Sequence, residues 1–320
     1  MKAIQITEYG EPEVLKLTEV EVPAIEPDDV LVEVHAAGFN PYDAKVRMGF
    51  LKGFFPLELP AVLGCDFAGV VRKVGADVTD LKEGDEVYGM QTTLRPGAYA
   101  EYLPVKAAVT RRKPANLSFE EASSIPMAAL TAWEGLVALA GVKAGDRVLV
   151  HGAAGGVGSM GVQIAKAHGA WVAATCSGAN VDFVRSLGAD QVIDYQTQDF
   201  AKEVANIDIV LEPIGGDVNH RSYPIMNPGG TMLVVLRADP AEETRRQKMQ
   251  EDYKVTTKVV EHIIKPEALD ALRDLIEAGK IRPVVSHVAP LADAAKVHAE
   301  CLTGFGRTGH ARGKTVLKVR

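Results

Sequence analysis

The chain has 320 residues, of which 47% are hydrophobic and 24% charged, with a formal net charge of −7. That length and balance suit a globular protein of two domains, and exclude a disordered or fibrous chain. The negative charge gives no electrostatic basis for binding nucleic acid or an anionic membrane surface. No segment approaches the roughly 18 uninterrupted apolar residues of a membrane span, because Pro126 and Glu134 break the best candidate.

Met1–Gly10 alternates polar and apolar residues as a strand does and lacks the apolar stretch of a secretory leader. Further strand-like runs, Asp29–Ala37, Phe67–Val74 and Asp85–Met90, are separated by Gly, Pro and Asp turns with little helix between them. They predict a β-rich, mostly antiparallel unit. At Ser118 the grammar changes: Glu121 three positions on completes a capping box that opens a helix. Strands are then predicted at Arg147–His151, Trp171–Thr175, Gln191–Asp194, Ile207–Leu211 and Thr231–Leu236, with helices at Gly156–His168, Val181–Leu187 and Asp199–Val204 between them. This alternation is the signature of a doubly wound parallel sheet. Asp239–Glu251 reads as an exposed helix, and Pro266–Gly279 and Leu291–Leu302 as amphipathic ones. Lys314–Val319 reads as a last strand returning to the β-rich unit. Cys65, Cys176 and Cys301 are odd in number and far apart, which predicts reduced thiols and a cytoplasmic protein.

Chemistry concentrates where the first strand of the parallel sheet meets its helix. Ala153-Ala154-Gly155-Gly156-Val157-Gly158 is a glycine turn whose backbone approaches a pyrophosphate, with the unpaired N–H groups of a helix N-terminus behind it. Ala154, Gly155, Gly156 and Val157 are the candidate contacts. The next strand ends Thr175-Cys176-Ser177-Gly178-Ala179-Asn180, without the carboxylate that would bind an adenosine ribose 2′-hydroxyl and repel a 2′-phosphate. NADPH is therefore the expected cofactor, with Ser177, Asn180 and Tyr195 as candidate contacts. No Lys or Arg stands between Ser177 and Asn180 to pair the phosphate. Ser177 and Asn180 also suit a plain helix cap.

The phrases Ala36-Ala37-Gly38-Phe39-Asn40-Pro41-Tyr42-Asp43, Leu63-Gly64-Cys65-Asp66-Phe67-Ala68-Gly69, Gly97-Ala98-Tyr99-Ala100-Glu101-Tyr102, Ala129-Leu130-Thr131-Ala132-Trp133, Leu187-Gly188-Ala189-Asp190 and Gly313-Lys314-Thr315-Val316-Leu317, with the glycine turn, resemble the medium-chain dehydrogenase/reductase superfamily. The likeness spans essentially the whole chain. Within the superfamily it resembles the quinone oxidoreductase group that includes zeta-crystallin. The resemblance implies an α/β fold: a Rossmann domain at 121–257 inserted into a β-rich, GroES-like catalytic domain at 1–120 and 258–320. It also implies a cofactor in the cleft between them and a homodimer.

Zinc-dependent members of the superfamily hold a catalytic metal with a Cys and a His from the first domain and a later Cys. Asn40 and Cys65 fall at the first two of those positions, and one isolated cysteine does not make a tetrahedral site. Cys65 reads as a small buried apolar residue, and no metal is expected. Without a Lewis acid the substrate must be electrophilic in itself, so a quinone or an α,β-unsaturated carbonyl is expected. Asn40 and Tyr42, in the stretch resembling the family's substrate loop, are the candidate catalytic donors to the developing oxyanion, and Asn40 also borders the nicotinamide. Packing is the other reading of Tyr42. Thr131 is expected at the nicotinamide ribose. The turn at Pro213–Gly216 and the segment Val235-Leu236-Arg237 are expected to border the nicotinamide half, through Ile214 and Leu236. Asp43 and Arg47 are expected to pair. His35, His151, His220 and His287 share no ligand spacing and read as structural or exposed. Alternative readings are an enoyl-thioester reductase, an alcohol dehydrogenase, or a non-catalytic NADPH-binding structural or regulatory protein.

Overall fold

A computed structural model describes all residues except 55, 92–94, 236–239, 262–263 and 304–311, and describes residues 240 and 301–303 by backbone alone. Six parallel strands form one sheet in the order Gln191–Asp194, Trp171–Cys176, Arg147–Val150, Ile207–Glu212, Met226–Val234 and Thr256–Val259. The chain runs outward from Arg147–Val150 to one edge, then crosses back to build the other half. The first strand thus lies at a topological switch point, where open α/β sheets form their ligand crevice.

Both faces of this sheet are covered, and the strand sequences show why. Val148, Val150, Val172, Ala174, Ile209 and Leu211 belong to the core on one face. Their neighbours Leu149, Ala173, Ile193 and Val210 belong to the core on the other. A strand buried on both sides reads as a continuous apolar run, which is the pattern these segments carry. The strand predicted from Thr231 begins earlier, at Met226, and the described part ends at Val234.

The second sheet is β-rich and mostly antiparallel, in the order Val285–Pro290, Lys314–Lys318, Asp29–Gly38, Asp66–Val74, Glu86–Met90 and Thr110–Arg112, with Tyr102–Lys106 also paired to Asp29–Gly38. Lys314–Lys318 therefore returns to the N-terminal strands as its alternation predicts, pairing Val316 with Gly38. The capping box at Ser118 is present: the Glu121 N–H donates to Ser118 Oγ (3.1 Å), and the Ser118 N–H donates to Glu121 Oε2 (2.9 Å). The two sheets do not have wholly separate cores. Cys65, Ala68, Tyr88 and Met90 of the β-rich sheet pack in the same cluster as one face of the parallel sheet. The Tyr88 hydroxyl also donates to the Leu269 carbonyl (2.7 Å) on the helix Pro266–Glu277.

A separate core fills the β-rich unit, and the helix Ala294–Thr303 closes it. His298 on that helix is fully buried, edge-on to Phe39 (4.7 Å between ring centroids) and to Tyr99 (5.8 Å). Among the described residues, neither ring nitrogen has a hydrogen-bond partner. Burial, and then the nearby Arg47 charge, hold its pKa down to about 3. Between the unfolded value near 6.5 and that folded value, the unfolded chain takes up a proton that the native chain refuses, so stability falls as pH falls through this window. His298→Phe keeps the ring packing and removes the titration. Its melting temperature should gain on wild type progressively as pH is lowered from about 6.5 to about 4, read by thermal melts at fixed ionic strength; a pH-independent difference would contradict a neutral buried His298.

Candidate active site

The glycine turn is built by steric necessity. Gly152 takes a left-handed conformation (φ +60°) at the end of the first parallel strand, and the helix Gly156–Ala167 starts four residues later. A Cβ on Gly158 would lie 2.3 Å from the Gly152 carbonyl oxygen, so strand and helix pack here at a distance that no other residue permits. This helix starts at the switch-point end of the first strand, and the first N–H groups of a helix have no acceptor within it. Ala153 and Ala154 are buried, whereas Gly155, Gly156 and Val157 are partly exposed.

Across the crevice, Glu212 ends its strand as a buried carboxylate. Its Oε1 accepts the N–H groups of Ile214 (2.6 Å) and Gly215 (2.7 Å), and its Oε2 accepts the Asn219 side-chain amide (3.3 Å). Burial raises its pKa against those bonds. The turn it braces places Ile214 over the glycine turn, with the Ile214 Cδ1 3.0 Å from where a Gly152 Cβ would stand. Leu236 lies outside the described residues.

Ser177 and Asn180 are nearly fully buried, and Asn180 Nδ2 donates to Ser177 Oγ (3.1 Å). Tyr195 is half-exposed beside them, its N–H bonded to the Cys176 carbonyl (3.1 Å). A basic residue that local reading missed reaches this loop from the far end of the chain. Arg312 Nε donates to Asn180 Oδ1 (2.6 Å) and its Nη2 to the Ala179 carbonyl (2.7 Å). A carboxylate is also close: Asp194 Oδ2 lies 2.8 Å from the position of a Gly178 Cβ, already accepting from Gln196 N–H (3.0 Å) and Thr197 Oγ1 (3.1 Å) through its two oxygens.

The stretch after Gly38 is a helix, Pro41–Arg47, rather than a loop. Asn40 caps it, its N–H donating to Asp43 Oδ2 (2.8 Å). The expected pair between Asp43 and Arg47 is not formed. Asp43 instead accepts from Asn40 and from the Tyr99 hydroxyl (3.1 Å), and the three guanidinium nitrogens of the buried Arg47 have no hydrogen-bond partner among the described residues. The Asn40 side chain is only 2% exposed and is engaged at both ends: Nδ2 donates to Asp66 Oδ2 (3.0 Å), and Oδ1 accepts from the Lys314 ammonium. Tyr42, one position past the cap-adjacent Pro41, is half-buried and packs against both the β-rich core and the core it shares with the parallel sheet. Thr131 is buried, and its hydroxyl donates back to the Met127 carbonyl (2.7 Å).

Asp66 opens its strand just before the apolar run Phe67–Val71 and ties the elements together, its Oδ1 accepting from the Met127 N–H (3.1 Å) at the start of the helix that carries Thr131. Burial raises Asp66 to about 7, with a smaller push from the Asp43 charge, while Lys314 and Asn40 pull it down. Burial likewise raises Asp43 to about 6 and pushes the Cys65 thiol up, which marks that cysteine as inert rather than as a nucleophile. His151 is structural as expected: its ring nitrogens sit 3.0 Å from Thr175 Oγ1 and 2.9 Å from Ser222 Oγ, and burial lowers its pKa to about 3.

Comparison with known proteins agrees with this geometry. Residues 26–115 match the alcohol dehydrogenase GroES-like domain, and residues 187–317 match the zinc-binding dehydrogenase domain. The chain is 39% identical to 2-methylene-furan-3-one reductase of Solanum lycopersicum, covering 99% of this chain and 79% of the relative. The chain belongs to the medium-chain dehydrogenase/reductase superfamily. It falls in the superfamily's quinone oxidoreductase group and is an oxidoreductase using a nicotinamide cofactor. It is also 38% identical to the chloroplastic NADPH-dependent alkenal/one oxidoreductase of Arabidopsis thaliana, with the same coverage. The structure of Escherichia coli quinone oxidoreductase complexed with NADPH superposes with a TM-score of 0.86 at 27% identity, covering 100% of both chains.

The zinc in the name of the second domain does not fit the residues here. The pocket between Asn40, Cys65 and Asp66 already contains a cation, since the Lys314 ammonium is bonded to Asn40 Oδ1 and lies 3.9 Å from Asp66 Oδ2. Among the described residues, the His, Cys, Asp and Glu groups spaced to hold a metal are Glu26, Asp28 and Asp29, which Lys106 and Arg95 already engage. A nicotinamide dinucleotide, by contrast, fits the turn. Gly158→Ala should abolish its binding, followed by NADPH fluorescence, and destabilise the fold by about 1–3 kcal/mol through overpacking; unaltered binding would show that the close approach at Gly152 is not what shapes the cradle.

Proposed function

We propose that the chain is an NADPH-dependent reductase that adds hydride to quinones or to the β-carbon of α,β-unsaturated carbonyls. The observation that carries this reading is the arrival of Arg312 at the Ser177–Asn180 loop, beside the glycine turn. A guanidinium steadied there through Asn180 and Ala179 keeps further N–H donors for a phosphate, in the planar geometry that suits phosphate oxygens. The Asp194 carboxylate nearby is engaged by Gln196 and Thr197. Two relatives support both halves of the proposal: one is named an NADPH-dependent alkenal/one oxidoreductase, and the other is a quinone oxidoreductase complexed with NADPH.

The bound cofactor supplies the hydride, and the chain's own groups do the rest. N–H groups at the start of Gly156–Ala167 meet the diphosphate. The turn braced by Glu212 would present Ile214, which lies over Gly152, to the nicotinamide half. The Tyr42 hydroxyl, itself buried, would be uncovered to donate to the carbonyl oxygen as negative charge develops there, with a solvent water delivering the proton. A zinc-dependent alcohol dehydrogenase is disfavoured because the Lys314 ammonium already stands at Asn40 and Asp66. The strand Thr256–Val259 ends the parallel sheet and pairs on one side with Met226–Val234. Its outer edge supports a homodimer.

Oxidation of NADPH at 340 nm, with NADH as control, tests the proposal against 1,4-benzoquinone, an alkenal, crotonyl-CoA and a simple ketone. Quinone or alkenal turnover that prefers NADPH and survives a chelator is expected. Arg312→Ala should raise the KM for NADPH about tenfold, the scale of one lost charge-assisted contact, and leave that for NADH unchanged. Turnover of the ketone alone and only with zinc would refute the reading, and tight NADPH binding with no turnover would turn it toward a structural or regulatory role.

A further inference from the structure

The last strand begins at Lys314, and its attachment fixes where that side chain starts. The Gly313 N–H donates to the Ala154 carbonyl (2.7 Å), and Gly313 forms a parallel bridge with Gly155, so the backbone at 313–314 lies against the glycine turn itself. From there the Lys314 side chain, 9% exposed, passes directly over Gly156: a Cβ on that glycine would stand 2.8 Å from Lys314 Cδ. Its ammonium donates to the Phe39 carbonyl and to Asn40 Oδ1, and it faces Asp66. Asn40 Nδ2 and the Met127 N–H both donate to Asp66. One lysine thus joins the cofactor turn, the cap of the helix carrying Tyr42 and, through Asp66, the helix carrying Thr131.

We propose that Lys314 is the positioning residue of this site: its ammonium, led across the missing side chain of Gly156, fixes the orientation of the Asn40 amide and supplies the buried positive charge of the substrate wall. The reasons are structural and electrostatic. An amide with no strong partner turns over easily, whereas an ammonium on its oxygen and a carboxylate on its nitrogen specify one orientation. Asp43 and Asp66 are both buried here, and an unpaired buried carboxylate is costly. The ammonium supplies the opposite charge without a metal, and it does so from the strand that also carries Arg312. Gly156 acquires a second reason to be glycine, because it leaves a channel for the lysine as well as room for a cofactor. The catalytic part of this proposal rests on the reductase reading above.

Lys314→Met keeps most of the side-chain volume and removes the charge. With a substrate found as above, kcat should fall at least about tenfold, the effect of losing roughly 1.4 kcal/mol of transition-state stabilisation. The dissociation constant for NADPH, measured by fluorescence without turnover, should stay within about threefold of wild type, since such a change is under 1 kcal/mol. A parallel loss of NADPH affinity would overturn the proposal by making Lys314 a cofactor contact, and an unchanged kcat would overturn it directly. Lys314→Ala should regain activity with added n-propylamine, following the protonated fraction of the amine; absence of rescue in a variant that melts like wild type counts against it. Gly156→Ala should cost less in the Lys314→Ala background than alone, because its clash is then gone, and strict additivity would contradict the channel. Exchange of the Asn40 side-chain amide protons, followed by NMR, reads orientation even if no substrate turns over. Protection in wild type that persists in Lys314→Met would sink the inference whatever the fate of the reductase reading.

Discussion

The hydrogen bond from the Gly313 N–H to the Ala154 carbonyl is the constraint on which the site depends. It joins the C-terminal strand of the β-rich sheet to the backbone of the cofactor turn. Without it the two halves would still be joined by apolar contacts and by the Tyr88 hydroxyl on the Leu269 carbonyl, but none of these reaches the glycine turn. A backbone bond next to a parallel bridge is directional, and it sets the position of the strand along the crevice. Arg312 and Lys314, one residue to either side of Gly313, are aimed by that single attachment at the Ser177–Asn180 loop and at Asn40.

Buried charge is the second theme. Asp43, Asp66 and Glu212 are each no more than 2% exposed. Burial raises the pKa of all three, so each group costs stability as pH rises through its folded value. The fold retains them because each carboxylate gathers donors from separate pieces of chain. Asp66 binds Asn40 and Met127, Asp43 binds Asn40 and Tyr99, and Glu212 binds a turn and a helix. An apolar residue at any of these positions would relieve the desolvation and leave several donors without acceptors. The network makes the crevice walls rigid where a reaction needs its groups already in place.

Most of the architecture was legible because its signals are local. Continuous apolar strands, a glycine turn and a Ser118 capping box announce themselves within a few residues. The strands Thr256–Val259 and Val285–Pro290 escaped because both are short sheet edges that mix polar with apolar residues and lack a continuous apolar run. The helix Pro41–Arg47 was missed although it carried its own mark, a proline at its start and Asp43 three residues after Asn40. Turn-rich surroundings concealed a helix of only seven residues. The site was less legible than the fold, for reasons of distance. Arg312 meets Asn180 across 132 residues, and Lys314 meets Asn40 across 274. No periodicity within either segment encodes such a meeting. The readable hint was chemical: a charged residue at the head of a strand just before its buried apolar residues, Asp66 in one case and Lys314 in the other.

The register of the last strand, Val316 opposite Gly38 and Leu317 opposite Ala37, has a consequence for how this chain can vary. Successive side chains of a strand point to opposite faces, so adding or deleting one residue within 312–317 would swap the faces of every residue after it. A residue added before Lys314 would take its side chain away from Asn40 and exchange the faces on which the buried Val316 and Leu317 pack. Evolution can therefore exchange side chains in this stretch one at a time but cannot change its length. Side chains at 312 and 314 change only beside an unchanging frame, which confines drift in this part of the chain to substitution.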